Sequence, residues 1–174
     1  RAVSVAGNVV TNTAAAALSY KASVVEQLSA FIDKCLADFG AGSIGVAVPA
    51  LVGSGRRVVE YSTHIAELSG LDLVASLGDK GGSTVTIYND GNAAGWAEYH
   101  IGAGSGSRDM FYATLGTGVG GSFILNGEIW MGHGGYAGEF GYVPVREGGE
   151  RLEDIASTAN IIRRTRSRVN QDST

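Results

Sequence analysis

Cysteine is almost missing: Cys35 is the only one among the 174 residues. A single thiol cannot close a disulfide within the chain, and it fits a reducing compartment. It falls on the apolar side of a helical pattern, so a core position is its expected role. No grouping of Cys and His has the spacing of a zinc site. Basic charge is also in short supply. The net charge is -4, and the one basic cluster, Arg163, Arg164, Arg166 and Arg168, reads as the solvated face of a helix. No nucleic-acid partner is expected through these residues. No apolar run approaches the roughly 18 residues of a membrane span. Residues 1–20 lack the charged, apolar and cleavage regions of a signal peptide. No membrane partner and a cytoplasmic location are the expectations. Charged residues make up only 17% and apolar ones 44%, which favours a packed core over disorder.

Proline is scarce as well, with two residues, whereas glycine is abundant, with 27. The glycines gather at 102–106, 116–121 and 132–141, between segments with strand character. Glycine so placed marks tight turns or a close approach of backbone to a ligand.

Short apolar segments alternate with helical periodicity, the pattern of an α/β protein. Residues 2–6 and 9–11 around Gly7-Asn8 read as a hairpin. Residues 21–39 predict an amphipathic helix, with Val24, Leu28, Phe31, Ile32, Cys35 and Leu36 on one face and Gly40 ending it. Ile44-Gly-Val-Ala-Val48 predicts a buried parallel strand closed by Pro49. A short strand over 57–61, a weak helix over 71–77 and a buried strand over 85–88 follow. That strand leads to Asn89-Asp90-Gly91-Asn92 as a turn, before a helix over 93–101. Strands are expected over 110–115 and 122–125. Asn126-Gly127 predicts a two-residue hairpin into 128–131, and a helix fills 152–168. The composition shift near 105–108 sets the expected lobe boundary, with 1–107 in the first α/β lobe and 108–174 starting the second.

Three motifs carry chemistry. Taken alone, Asn89-Asp90-Gly91-Asn92 reads as an Asx-rich turn. A carboxylate at a strand end can also take the proton of an attacking hydroxyl, a contribution on the order of 10²–10⁴ in rate. Leu115-Gly-Thr-Gly-Val-Gly-Gly121 reads either as a glycine hairpin or as backbone amides that cradle phosphate oxygens, with the Thr117 hydroxyl as an added donor. It is not a Walker A motif. Glu139, flanked by glycines in Gly138-Glu139-Phe140-Gly141, is either a solvated loop glutamate or an acceptor for sugar hydroxyls.

In order, these motifs resemble those of the ROK family, which groups repressors, open reading frames of unknown role and hexose kinases. The resemblance runs from about Ile44 to Arg164. It includes Ile44-Gly-Val-Ala-Val-Pro49 upstream and Leu152-Glu153-Asp-Ile-Ala-Ser157 downstream. It implies an actin-like ATPase (ribonuclease H-like) fold of two α/β lobes around a cleft, incomplete at both ends here. It implies ATP-dependent phosphorylation of a hexose, as in glucokinase-like sugar kinases, with ATP and Mg2+ as cofactors. By the same likeness Asp90 is the catalytic base and Asn89 a sugar ligand. Gly116, Thr117 and Gly118 form the second phosphate loop, and Glu139 and Glu153 are sugar-binding carboxylates. Dimers are common in the family, so a homodimer is an open expectation.

The departures are equally specific. The family's Asp-x-Gly-Gly-Thr phosphate loop is not among these residues, since Arg1-Ala-Val-Ser-Val resembles the strand after it. Tyr142 stands where the family has a histidine for sugar and zinc, and 143–151 has no cysteine, so no structural zinc is expected. His64 stands where a sugar-contacting asparagine is common, and a structural role competes with a site role there. Besides the kinase, two readings remain: a sugar-sensing transcriptional regulator and an inactive sugar-binding module. Neither the sugar nor activity of this segment alone is readable.

Overall fold

The structure is a computed structural model that describes Ala2–Val3, Val9–Thr11, 22–40 and 42–172, with side chains over 22–40 and 42–169. Two compact units divide the chain, Arg1–Asp90 and Gly91–Thr174. The lobe boundary expected at 107/108 falls in the loop between the helix Asp90–Ile101 and the strand Met110–Leu115. No helix among the described residues is long and apolar enough to cross a membrane.

In the first unit, β1 (Ala2–Val3) and β2 (Val9–Thr11) pair antiparallel, as a hairpin requires. The Gly7-Asn8 turn itself lies outside the described residues. Helix α1 (Val24–Phe39) starts three residues later than its periodicity predicts, because Ser23 caps it. The Ser23 hydroxyl accepts from Glu26 N, and Glu67 accepts from Val24 N at 2.9 Å. Hydrogen bonds from Ser23 and then from Val24 hold the Glu67 carboxyl below its ordinary pKa. Gly40 ends α1 at φ 86, as expected. Strand β3 (Ser43–Val48) runs parallel to β7 (Thr84–Asn89), in register from Ser43↔Thr84 to Val48↔Asn89.

Between them, β4 (Leu51–Val52), β5 (Val58–Tyr61) and β6 (Leu71–Asp72) form an antiparallel sheet in the order β4-β5-β6. The weak helix expected over 71–77 is thus two elements. Leu71 pairs with Val59, and Asp72 caps α2 (Leu73–Leu77) by accepting from Ala75 N at 2.8 Å. Ile32, Val46, Val48, Val52, Val59, Leu68, Leu73, Leu77 and Ile87 make the core. Cys35, expected there, is only half-buried, because Ile32 is the α1 residue that is fully enclosed.

In the second unit, β8 (Met110–Leu115), β9 (Val119–Leu125) and β10 (Glu128–Ile129) form an antiparallel sheet in the order β10-β9-β8. Asn126 and Gly127 join β9 to β10 at φ 53 and 82, the two positive values of a type I′ turn. The helix expected over 152–168 is broken into α4 (Leu152–Ala156) and α5 (Thr158–Asp172). Ser157, buried and extended at ψ 147, breaks it. Thr158 then anchors α5 to the β8–β9 turn, donating N to Gly116 O at 3.0 Å and Oγ1 to Leu115 O at 2.9 Å.

The glycine-rich segment 132–141 lies directly on β9. A Cβ at Gly138 would collide with the carbonyl oxygen of Gly121, and one at Gly141 with that of Val119. Gly121 in turn lies against the Tyr112 carbonyl. Helix α3 (Asp90–Ile101) uses Gly95 in the same way, where a Cβ would strike the Ser122 hydroxyl. At Gly121, Gly138 and Gly141 the glycine meets a backbone carbonyl, so the positions of neighbouring residues are set by backbone shape.

Two outcomes follow for urea unfolding of the protein. Leu73→Ala, at a fully buried position, lowers stability by about 2–5 kcal/mol. Gly141→Ala costs about 1–3 kcal/mol by overpacking, whereas Gly55→Ala, with nothing within 4 Å, changes it by less than about 0.5 kcal/mol.

Candidate functional site

In the first unit the candidate residues gather around the carbonyls of Pro49 and Ala50, just past the end of β3. Parallel pairing places Asn89 beside Val48, at the same end of the two strands. The Asn89 amide donates to Ala50 O at 3.1 Å. Ser62, buried at 3% exposure, donates to Pro49 O at 3.1 Å and accepts from Ile65 N at 3.0 Å, which folds the loop that carries His64. His64 itself is exposed, with Nδ1 2.9 Å from the Thr63 hydroxyl. The structure therefore brings the His64 loop and Asn89 to adjacent carbonyls, while the His64 ring engages its own neighbour.

Asp90 follows Asn89 directly. Where the sequence predicts a turn over 89–92, Asn89 ends β7 and Asp90 opens α3 without a break. An acidic residue in the first helical turn is favoured by the N-terminal dipole, so the helix begins as early as the strand allows. Asp90 is exposed, whereas Asn92, one helical step inward, is buried and its amide faces Met131 Sδ at 3.8 Å. The result is an exposed carboxylate at the carboxyl end of a parallel strand, where the strand passes directly into a helix.

In the second unit the glycine turn is shorter than its sequence implies. Strand β9 starts at Val119, and the turn is Gly116-Thr117-Gly118 alone. Gly116 N donates to Gly118 O at 3.0 Å, and Thr158 occupies the carbonyls of Leu115 and Gly116. The amides of Thr117 and Gly118 have no hydrogen-bond partner among the described residues. Acceptors are tied off and donors left open, which is the chemistry an anion needs. Both glycines lack a side chain to shield those amides, so the turn fits the phosphates of a nucleotide.

Glu139 and Tyr142 bracket one 3₁₀ turn, Phe140–Tyr142, in which Tyr142 N donates to Glu139 O at 3.2 Å. Gly138 and Gly141 press this turn onto β9, and Phe140 packs with Phe111 at a ring distance of 5.0 Å. Glu139 is partly exposed beside it. Glu153, on α4, pairs through Oε1 with Arg151 NH1 at 3.1 Å. Its Oε2 faces the glycine turn and would lie 3.1 Å from a Cβ at Gly118. Two predicted ligands, Glu153 and Gly118, are therefore brought together.

Sequence reasoning missed Arg151 and Thr158. Arg151 donates to Asp154 from side chain and backbone, which holds the Asp154 carboxyl below its ordinary pKa and raises that of Arg151. The acidic residue three positions after Arg151 was the available signal, being the spacing of a helix-capping pair. Among the described residues, no three His, Cys, Asp or Glu side chains converge to hold a metal ion.

The glucokinase of Streptomyces coelicolor is 30% identical over 121 residues, which are 70% of this chain and 38% of that protein. The xylose repressor of Bacillus spizizenii is 29% identical over 107 residues, 62% of this chain and 27% of its own. A solved ROK family glucokinase from Streptomyces griseus, in complex with glucose and AMPPNP, superposes with a TM-score of 0.71 at 28% identity, over 85% of this chain and 50% of that one. This chain thus spans half or less of the length of these relatives. Its α/β architecture is that of the actin-like ATPase fold. The model of the ROK family matches residues 4–169, and the chain belongs to the ROK family.

Proposed function

We propose that these residues form part of an ATP-dependent hexose kinase. The observation that carries this is the placement of Asp90: an exposed carboxylate at the carboxyl end of β7, fixed by the first turn of α3. A group held there can accept the proton of a sugar hydroxyl as its oxygen attacks the γ-phosphorus of ATP and ADP leaves. Asn89, whose amide is anchored to Ala50 O, is a proposed sugar ligand beside Asp90. Glu139, Tyr142, Glu153 and His64 are the proposed substrate ligands. Carboxylates suit vicinal hydroxyls, because each accepts several hydrogen bonds.

The open amides of Thr117 and Gly118 are proposed to receive ATP phosphates. Mg2+ bound with the nucleotide would supply charge neutralisation. Likeness to a glucokinase solved with glucose and AMPPNP supports the same reading. The lobe division at 107/108 is kept as a proposal on the composition shift near 105–108.

A second reading, a sugar-sensing regulator, is supported by the likeness to a xylose repressor. Turnover separates the two. The full natural protein that carries these residues is assayed for ADP release over a panel of hexoses. Release with one or two sugars is expected, and Asp90→Asn lowers kcat by a factor on the order of 10²–10⁴. Sugar binding without release from any hexose would leave the regulator as the better account. Thr117→Ala, which removes the hydroxyl donor but keeps the amide, is expected to raise KM for ATP by a factor of about 2–10 with little effect on KM for sugar.

A further inference from the structure

Arg151 touches more of the second unit's candidate site than any residue the sequence singled out. Nε and NH2 donate to the two oxygens of Asp154 at 3.1 and 3.2 Å, a bidentate grip that fixes the guanidinium plane. NH1 pairs with Glu153 Oε1 at 3.1 Å. One face of the plane covers the Tyr142 ring at 5.2 Å from its centroid. The Arg151 backbone is fixed as well. Its N donates to Asp154 Oδ2 at 3.0 Å, it forms an antiparallel bridge with Pro144, and the next amide, Leu152 N, donates to Val143 O at 2.9 Å. The loop 143–151 is thereby closed at its base, with Tyr142 at one end and Arg151 at the other.

The consequence falls on Glu153. A glutamate side chain turns about three bonds, so an unheld carboxylate samples many positions. Here Oε1 is engaged by Arg151, which leaves Oε2 as the oxygen that faces Gly118. The pair is shielded more on the glutamate side, at 19% side-chain exposure against 41% for Arg151. A lysine cannot reproduce this arrangement, since one ammonium cannot grip Asp154 in two places, reach Glu153 and cover a ring.

We propose that Arg151 is a positioning residue, which holds Glu153 Oε1 so that Oε2 is presented to a sugar hydroxyl beside the β8–β9 turn. Tyr142 acts through Arg151, by supporting the guanidinium plane. This inference rests on the sugar-kinase reading and deepens it. It moves Tyr142 from a ligand of the sugar to the support of one.

The test is steady-state kinetics of the full natural protein with its accepted hexose. Arg151→Gln raises KM for sugar about tenfold, while kcat and KM for ATP stay within about twofold. Arg151→Lys recovers little of that loss. Tyr142→Leu shifts KM for sugar in the same direction, and Tyr142→Phe, which keeps the ring, recovers most of the affinity. The double variant Tyr142→Leu/Arg151→Gln is no weaker than Arg151→Gln alone, because both changes remove one interaction. An unchanged KM for sugar in Arg151→Gln overturns the inference, as does additivity in the double variant. A Tyr142→Phe protein as weak as Tyr142→Leu also overturns it, by making the phenol hydroxyl the ligand. These results leave the kinase reading standing. A wild type that neither binds nor phosphorylates any hexose overturns both.

Discussion

The second unit depends on a contact in which backbone meets backbone with nothing between. Gly138 and Gly141 rest on the carbonyls of Gly121 and Val119, and Gly121 rests on that of Tyr112. The 3₁₀ turn Phe140–Tyr142 thus sits on the β8–β9 sheet closer than a side chain at these positions would allow. The turn cannot rotate or slide without a carbonyl striking a Cα. Glu139 and Tyr142, which flank its two ends, inherit that rigidity. From Tyr142 it passes to Arg151 and then to Glu153, so a packing constraint becomes a constraint on a carboxylate.

The first unit reaches the same end by other means. Its candidate residues stand at the carboxyl end of a parallel strand pair, next to the carbonyls of Pro49 and Ala50. Asn89 and Ser62 use the carbonyls of Ala50 and Pro49. Those two bonds satisfy acceptors that would be costly to leave unpaired, and they also fix two site segments at once. Asp90 is placed by being the first residue of the helix that follows the strand. Asn89, a proposed ligand, is thus also a side chain that satisfies the fold.

Much of this was legible in the sequence, and what was missed has a common cause. The unbroken apolar run at Ile44–Val48 and its counterpart before Asn89 announced a parallel pair, because a strand covered on both faces has no polar alternation. Asn126-Gly127 announced its turn, since both positions need positive φ. The errors lie where a distant partner decides. Ser157 sits inside a continuous helical pattern and breaks it, because the next residue is held by the carbonyls of Leu115 and Gly116. Asn89–Asn92 has the composition of a turn, yet Asp90 starts a helix. Arg151 was not singled out in the sequence, and its contacts form only when the closed loop returns it to Tyr142. The glycines were read as room for a ligand. At 116 and 118 that reading stands as proposed, while at 121, 138 and 141 the room is filled by the protein itself.

The central claim is that Asp90 moves a proton and that the sugar is held mainly by other groups. Titration calorimetry of the Asp90→Asn protein, in its full natural chain, tests this most directly when set beside the wild type with the same hexose. The account predicts an affinity within about fivefold of wild type, since the amide keeps one oxygen that accepts at that place, together with loss of turnover. An affinity that collapses with the turnover would contradict it, because Asp90 would then be a binding residue and not the base.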